Sequence, residues 1–462
     1  MLDDSTICAI STAPGNAAIA VLRLSGPDAI NIADTIFISP KEGTRLMDQN
    51  SHTVHFGRIE YQDEVIDEVL VSVFINPHSY TGENLVELSC HGSPYIQQQI
   101  IKILINKGAR FATPGEFTMR AFLNKKMDLS QAEAVADLIA SESHAAQQMA
   151  INQMRGEFSR RISGLRKQLV DISSLIELEL DFSEEDVEFA NRYDLIKIIE
   201  GIKYLLVNLI KSFDYGNVIK NGVPVAIVGK PNVGKSTLLN TLLNDDKAIV
   251  SEIAGTTRDA IEDQIQIEGI RFRFIDTAGI RETTDKIETL GIERTFDKIN
   301  KARIILLITE DNQTPVEIGK QITEINPSQD QKLIVIVNKI DIADEKQVRD
   351  KFGGNKGFAP YPTLFLSAKK QIHMDELIKV LLESIKTYHE SDVIVSNIRH
   401  YFALKHSEEA AGRVLEGLRN GLTTDFISID IRTVMHYLGE ITGDITNDEI
   451  LANIFSRFCI GK

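Results

Sequence analysis

One stretch narrows the possible folds more than any other: Gly229-Lys230-Pro231-Asn232-Val233-Gly234-Lys235-Ser236, a G-x-x-x-x-G-K-S run directly behind the apolar segment Val225 to Val228. Strand, glycine-rich turn and helix start in that order form a phosphate-binding loop. Successive backbone N–H groups must wrap a polyphosphate closely, so glycine is needed where a Cβ would collide or φ is positive. Gly229 and Gly234 occupy those places. Lys235 brings a point charge to the β- and γ-phosphates, the Ser236 hydroxyl is a Mg²⁺ ligand, and a helix expected from Thr237 to Leu243 aims its positive end at the phosphates.

Four further signals follow in order. Thr257, in Gly255-Thr256-Thr257-Arg258-Asp259, supplies a second Mg²⁺ ligand and γ-phosphate sensor, and Asp276-Thr277-Ala278-Gly279 places a carboxylate in the Mg²⁺ shell and the Gly279 N–H at the γ-phosphate. Asn338-Lys339-Ile340-Asp341 and Ser367-Ala368-Lys369 each follow an apolar run. The Asp341 carboxylate accepts from N1–H and the 2-amino group of guanine, whereas adenine would leave it unpaired, so GTP is chosen over ATP. The expected GTP contacts are Asn232, Val233, Gly234, Lys235, Ser236, Thr237, Ser251, Glu252, Ile253, Ala254, Gly255, Thr256, Thr257, the run Asp276, Thr277, Ala278 and Gly279, then Asn338, Lys339, Asp341, Ser367, Ala368 and Lys369. Where Ras-like proteins carry a water-orienting Gln, this chain has Ile280, which has no hydrogen-bonding group. Glu282, Glu288 and Glu293 are the candidates for that task, and the residues alone do not rank them.

Apolar runs Val225 to Val228, Phe272 to Ile275, Ile304 to Ile308, Leu333 to Val337 and Thr363 to Leu366 are what a parallel sheet covered on both faces requires. They imply a doubly wound domain over residues 216–382. At 462 residues the chain needs more than one core. Residues 1–118 carry short strand-like runs (Thr6 to Ser11, Ala18 to Leu24, Thr53 to Tyr61, Glu68 to Phe74, Leu85 to Cys90) and helices near 27–37 and 93–107, implying an α/β domain with a mostly antiparallel or mixed sheet. From 119 the pattern turns helical. Phe158, Ile162, Leu165, Leu169, Ile172 and Ile176 form one apolar stripe. Ser183 to Glu188 then opens a helix expected through Ile210, and helices return at Arg399 to Asn420 and Phe426 to Leu438. Thr446 to Glu449 has the form of a capping box, starting a helix to about Phe458. Helices of 119–215 and 383–462 would pack as one bundle, from which the nucleotide domain emerges as an insertion.

A formal net charge of -16 argues against a protein that coats nucleic acid through bulk positive charge. Any RNA must meet a local patch, for which Arg155, Arg160, Arg161, Arg166 and Lys167 are candidates, though a solvated helix face reads the same way. Three widely spaced cysteines, Cys8, Cys90 and Cys459, make neither a disulfide framework nor a zinc pattern, which fits a reducing compartment. No signal peptide or membrane span is expected, and the cytoplasm is the expected compartment.

The nucleotide motifs resemble the translation-factor-like GTPases in general. The tail Phe455-Ser456-Arg457-Phe458-Cys459-Ile460-Gly461-Lys462, the opening Thr6 to Thr12 with Val21 to Gly26, and Thr113-Pro114-Gly115-Glu116-Phe117-Thr118 with Arg120 to Asn124 narrow this. They resemble the MnmE (TrmE) family of tRNA modification GTPases, end to end. The resemblance implies a multidomain α/β plus α protein: an N-terminal α+β tetrahydrofolate-binding and dimerisation domain, a helical bundle domain, and an inserted Ras-like P-loop GTPase domain. It implies a homodimer and a heterotetramer with the flavoprotein MnmG (GidA), which brings FAD and NADH. Together they would install an aminomethyl or carboxymethylaminomethyl group at C5 of the wobble uridine of certain tRNAs, with carbon from 5-formyl- or 5,10-methylene-tetrahydrofolate. It places Arg23, Glu87, Lys126 and Lys462 at the folate, and K⁺ at Asn232, Ser251, the Ile253 carbonyl and Thr256. It also gives the water-orienting role to Glu288 and makes Cys459 a candidate nucleophile toward C6 of the uridine. The alternative is a ribosome-assembly GTPase of the Era or Der type, which would carry a KH-like module and a basic face.

Overall fold

The computed structural model describes residues 4–181, 191–244, 263–275, 299–352, 361–385 and 393–461. It divides into two compact units. One comprises Met1–Ile139, Asn152–Asn191 and Leu422–Lys462, the other Ala140–Ile151 and Arg192–Gly421.

The first unit is built on a seven-stranded sheet of β1 (Ile7–Ile10), β2 (Ile19–Ser25), β3 (Phe37–Ile38), β4 (Thr53–Tyr61), β5 (Glu64–Phe74), β6 (Leu85–His91) and β7 (Arg110–Phe111), in the order β3-β4-β5-β6-β2-β1-β7. All neighbours run antiparallel except β1 and β7, the mixed sheet expected. Side chains alternate between its faces. Leu22, Leu24, Val69, Val71, Val73, Val86 and Leu88 point into a core closed by the helices Ala29–Asp34 and Pro94–Asn106. On the other face the register aligns Arg23, Glu87, Ser72 and Val54 in one row and Val21, Ser89, Leu70 and Phe56 in the next. Val54, Phe56 and Leu70 are exposed there.

In the same unit the apolar stripe from Phe158 to Ile176 is buried along the helix Glu157–Asp181, which packs against Thr424–Thr442. The last helix differs from expectation. It spans Asp448–Phe455 and is capped by Asn447, whose side chain accepts from the Ile450 N–H at 2.8 Å, rather than by Thr446. It stops before Phe458 because the following residues turn onto Gly115 and β1. A Cβ on Gly115 would lie 2.7 Å from the Phe455 carbonyl, and one on Gly461 2.2 Å from that of Ile10.

The second unit holds a six-stranded sheet of β8 (Val223–Val228), β9 (Asp263–Ile267), β10 (Ile270–Phe274), β11 (Ile304–Thr309), β12 (Lys332–Val337) and β13 (Thr363–Phe365), in the order β13-β12-β11-β8-β10-β9. It is parallel except for the β9–β10 hairpin. Ile304, Leu306, Ile308, Ile334 and Ile336 face one core with Leu238, Leu242, Leu377 and Leu381, while Ile305, Leu307, Leu333, Val335 and Val337 face another with Ile318, Ile322, Val348 and Phe352. Both faces are therefore covered, which is the doubly wound arrangement expected. The edge strand β9 was not anticipated: in Asp263-Gln264-Ile265-Gln266-Ile267 only alternate residues are apolar.

The helix Arg192–Asn221 packs on Ile398–Arg419 and runs well beyond the expected Ile210. Gly216 and Ser212 explain the extension. A Cβ at Gly216 would meet the Val395 carbonyl at 2.2 Å, and Ser212 Oγ accepts from the Val395 N–H at 3.0 Å. Small residues let the helix continue under the segment 393–396 instead of ending there. The acidic run 183–188 lies outside the described residues.

Candidate functional site

At the end of β8 the chain turns over Gly229 and enters the helix Lys235–Leu243 through Gly234, two residues ahead of the expected Thr237 start. The cradle excludes side chains. Gly229 has φ +150° and a Cβ there would sit 2.3 Å from the Ile308 carbonyl; Gly234 has φ +95° and its Cβ would meet Asn338 Nδ2 at 2.4 Å. Asn232 is itself left-handed, at φ 65°. Backbone N–H groups of the loop and the helix start gather where an anion is favoured, and Ser236 and Thr237 lie in the first helical turn. Lys235 Nζ donates to the carbonyls of Gly229 and Lys230, both at 2.8 Å, and burial lowers its pKa.

The base-recognition motif is fastened to this loop. Asn338 Nδ2 donates to the Val233 carbonyl at 2.9 Å, and Asn338 Oδ1 accepts from the Ala368 N–H at 3.0 Å. The Ala368 carbonyl accepts from Thr241 Oγ1 at 2.9 Å. Ser367 pairs with Ile372 in a short bridge, which fixes the turn carrying Ala368 and Lys369. Lys339 Nζ donates to the Asn232 carbonyl at 2.8 Å, and Asp341 stands exposed in a 3-10 turn behind it. Asn232, Val233, Gly234, Lys235, Ser236, Thr237, Asn338, Lys339, Asp341, Ser367, Ala368 and Lys369 thus cluster at the carboxyl end of one parallel sheet, the place such sheets use for ligands. Ser251 to Thr257, Asp276 to Gly279, Ile280, Glu282, Glu288 and Glu293 lie outside the described residues.

A second cluster occupies the other unit. Arg23 and Glu87 are register partners, and Arg23 Nε and one terminal nitrogen bond Glu87 Oε1 at 3.0 and 2.7 Å. The guanidinium sits 5.4 Å from the ring centre of Tyr80 and 5.6 Å from that of Phe117. The returning tail joins it: the Gly461 carbonyl accepts from Arg23 at 3.4 Å and from Ser11 Oγ at 3.0 Å. Lys126 Nζ donates to the Pro77 carbonyl at 2.9 Å, at the head of the loop that carries Tyr80. This donor set fits a folate: a carboxylate for the aminopyrimidinone edge, aromatic faces for the ring, cations for the glutamate tail. Lys462 is outside the described residues. Cys459 is exposed and its carbonyl accepts from the Gly115 N–H at 3.4 Å. Cys8 and Cys90 are buried, and burial pushes both thiols up to about 11.

Beneath this cluster lies a buried charge network. Glu116 accepts from Arg110, from the Thr113 N–H and from Arg120, which also reaches Glu83 at 3.1 Å. Burial alone would raise the Glu116 carboxyl, but the bonds from Arg110, Thr113 and Arg120 hold it at about 2. Ser11 and the Gly461 carbonyl were not legible as site groups, because only the sheet register and the returning tail bring them to Arg23. Tyr80 and Phe117 fall in two stretches unusual for scaffold, Tyr80-Thr81-Gly82-Glu83 with polar groups at both ends of a strand and the Pro-Gly turn Thr113 to Phe117.

A family model described as the MnmE helical domain matches residues 129–459, and one described as the GTP-binding protein TrmE N-terminus matches residues 6–126. The tRNA modification GTPase MnmE of Bacteroides thetaiotaomicron is 53% identical over 467 residues, covering 100% of both chains. That of Christiangramia forsetii is 52% identical over 474 residues, covering 99% of each. Among solved structures, Aquifex aeolicus Era bound to GDP.AlF4- is 32% identical over 40% of this chain and 65% of its own, with a TM-score of 0.26, too low to carry a structural conclusion. With matches to two family domains and half-identical relatives along its whole length, this chain belongs to the MnmE (TrmE) family of tRNA modification GTPases.

Proposed function

We propose that this protein is a K⁺-stimulated GTPase that works with the flavoprotein MnmG to place an aminomethyl or carboxymethylaminomethyl group at C5 of the wobble uridine of certain tRNAs, taking the carbon from a tetrahydrofolate. The observation that carries the reading is the presence in one chain of the side-chain-free phosphate cradle tied to Asn338 and of the Arg23–Glu87 pair between Tyr80 and Phe117.

In the nucleotide site the loop amides and Lys235 hold the phosphates, Ser236 and Thr257 would hold Mg²⁺, and Asp341 selects guanine. Asn232, Ser251, the Ile253 carbonyl and Thr256 would hold K⁺, which supplies positive charge to the transferring phosphate when bound. Glu288 orients the attacking water. In the N-terminal unit Glu87, with Arg23 bonded to it, binds the pterin end, and Lys126 and Lys462 bind the glutamate tail. Cys459 is the candidate nucleophile toward the uridine, and FAD and NADH act through the partner.

The exposed Val54, at the end of the Arg23 row, and Phe56 and Leu70 in the next row share one sheet face, and this is where we place the homodimer contact. The domain boundaries 1–118, 119–215, 216–382 and 383–462 belong to the same proposal, as does action in the cytoplasm. Among the described residues no helix is long and apolar enough to cross a membrane.

The test is nucleoside analysis of tRNA from cells lacking the protein. Loss of the C5-substituted wobble uridines is expected, and intact ones would sink the reading. GTP turnover should also fall when Na⁺ replaces K⁺; equal rates in the two salts remove the potassium role.

A further inference from the structure

We propose that Glu310 is a positioning residue of the guanine-nucleotide site, holding the Lys339 ammonium on the Asn232 carbonyl and so bracing the base-recognition motif against the phosphate loop. The proposal rests on reading that site as one for GTP. Strands β11 and β12 run parallel with Thr309 opposite Val337, so Glu310 leaves its strand level with Asn338 and one residue short of Lys339. Glu310 Oε1 lies 2.5 Å from Lys339 Nζ, and the same nitrogen donates to Asn232 at 2.8 Å. The carboxylate is only 16% exposed.

Both residues that the ammonium joins to Glu310 are in the left-handed region, Asn232 at φ 65° and Lys339 at φ 66°. Asn adopts that conformation more readily than Lys, so surrounding contacts matter most at Lys339. An ammonium on a four-carbon stem is also mobile, and a polyphosphate in the neighbouring cradle would draw it away from the base end of the site. A carboxylate fixed at the end of β11 opposes both tendencies. This separates the pair from an ordinary surface ion pair, which contributes little: here a third, backbone partner on another element shares the same nitrogen.

The test is binding of fluorescent mant-GDP and mant-GTP to the full chain, by stopped flow, in the parent, Glu310→Ala, Glu310→Gln, Lys339→Ala and the double variant. Glu310→Ala should weaken both nucleotides about tenfold, the size of one charge-assisted hydrogen bond, chiefly through faster release. Glu310→Gln removes the charge but keeps the shape, should lose affinity in the same direction, and carries the test if the alanine variant does not fold. In the Lys339→Ala background the Glu310 substitution should change affinity less than about twofold. An equal loss in both backgrounds, or parent-like binding by Glu310→Ala or Glu310→Gln, overturns the proposal. A parent that binds no guanine nucleotide overturns the nucleotide reading itself.

Discussion

The six-stranded sheet is covered on both faces and carries its ligand groups at the ends of its strands, whereas the seven-stranded sheet presents Arg23 and Glu87 from mid-strand, on a face that Phe117 covers at β1 and that is exposed at β4 and β5. In the first, topology gathers short contiguous motifs at one edge, each complete in itself: a loop of eight residues, an Asn-Lys pair, a Ser-Ala-Lys turn. In the second, no contiguous motif exists. Its groups come from β2, β6, the loop before Glu83, the helix Glu116–Leu123 and the tail near Gly461. A parallel sheet concentrates function at loops that a sequence spells out, while an antiparallel face distributes it among residues that only register unites.

The comparison can be broken most sharply at Lys235. Lys235→Ala should reduce GTP turnover by about 10²- to 10³-fold, as loss of a transition-state donor does, while 5-formyltetrahydrofolate binding measured by calorimetry stays at the parent value. A matching loss of folate binding would show that the two clusters are not independent. At the other site, Arg23→Ala should weaken folate about tenfold or more through loss of charge-assisted bonds. Gly461→Ala should do the same without touching any charge, because its Cβ would lie 2.2 Å from the Ile10 carbonyl and the tail could not seat. Unchanged folate affinity in Gly461→Ala would detach the tail from the site.

The effect hardest to see at neutral pH concerns Glu116. Its pKa is lowered from 4.5 to about 2, so the ionised form is the one the fold stabilises. That contribution is complete above pH 4.5 and is lost as the pH falls toward 2. Denaturant unfolding should show stability declining across this window, and Glu116→Gln should flatten that part of the curve. A parent curve already flat there would contradict the buried network.

Much of the nucleotide half was readable because its strands are continuous apolar runs and its motifs sit where runs stop. The readings that failed did so where one position serves two purposes. The helix expected to end at Ile210 continues past it because Ser212 and Gly216 are contact points for Val395, and Thr446 has the form of a cap although its neighbour Asn447 makes the bond. Glu310 had no signature at all, since an acid after a strand is ordinary until the partner strand places Lys339 beside it. Arg23 and Glu87 were identifiable through family resemblance alone; nothing in the chain between them, a separation of 64 positions, announces that they touch.

The bond from Ser11 to Gly461 spans 450 positions. At a synthesis rate of about 5–20 residues per second, roughly 20 to 90 s separate the emergence of its two ends. The N-terminal sheet, whose other contacts are far more local, can form long before that. During that interval Arg23 already has Glu87 but lacks the carbonyl that it shares with Ser11, so a nascent chain carries a finished sheet and an unfinished pocket.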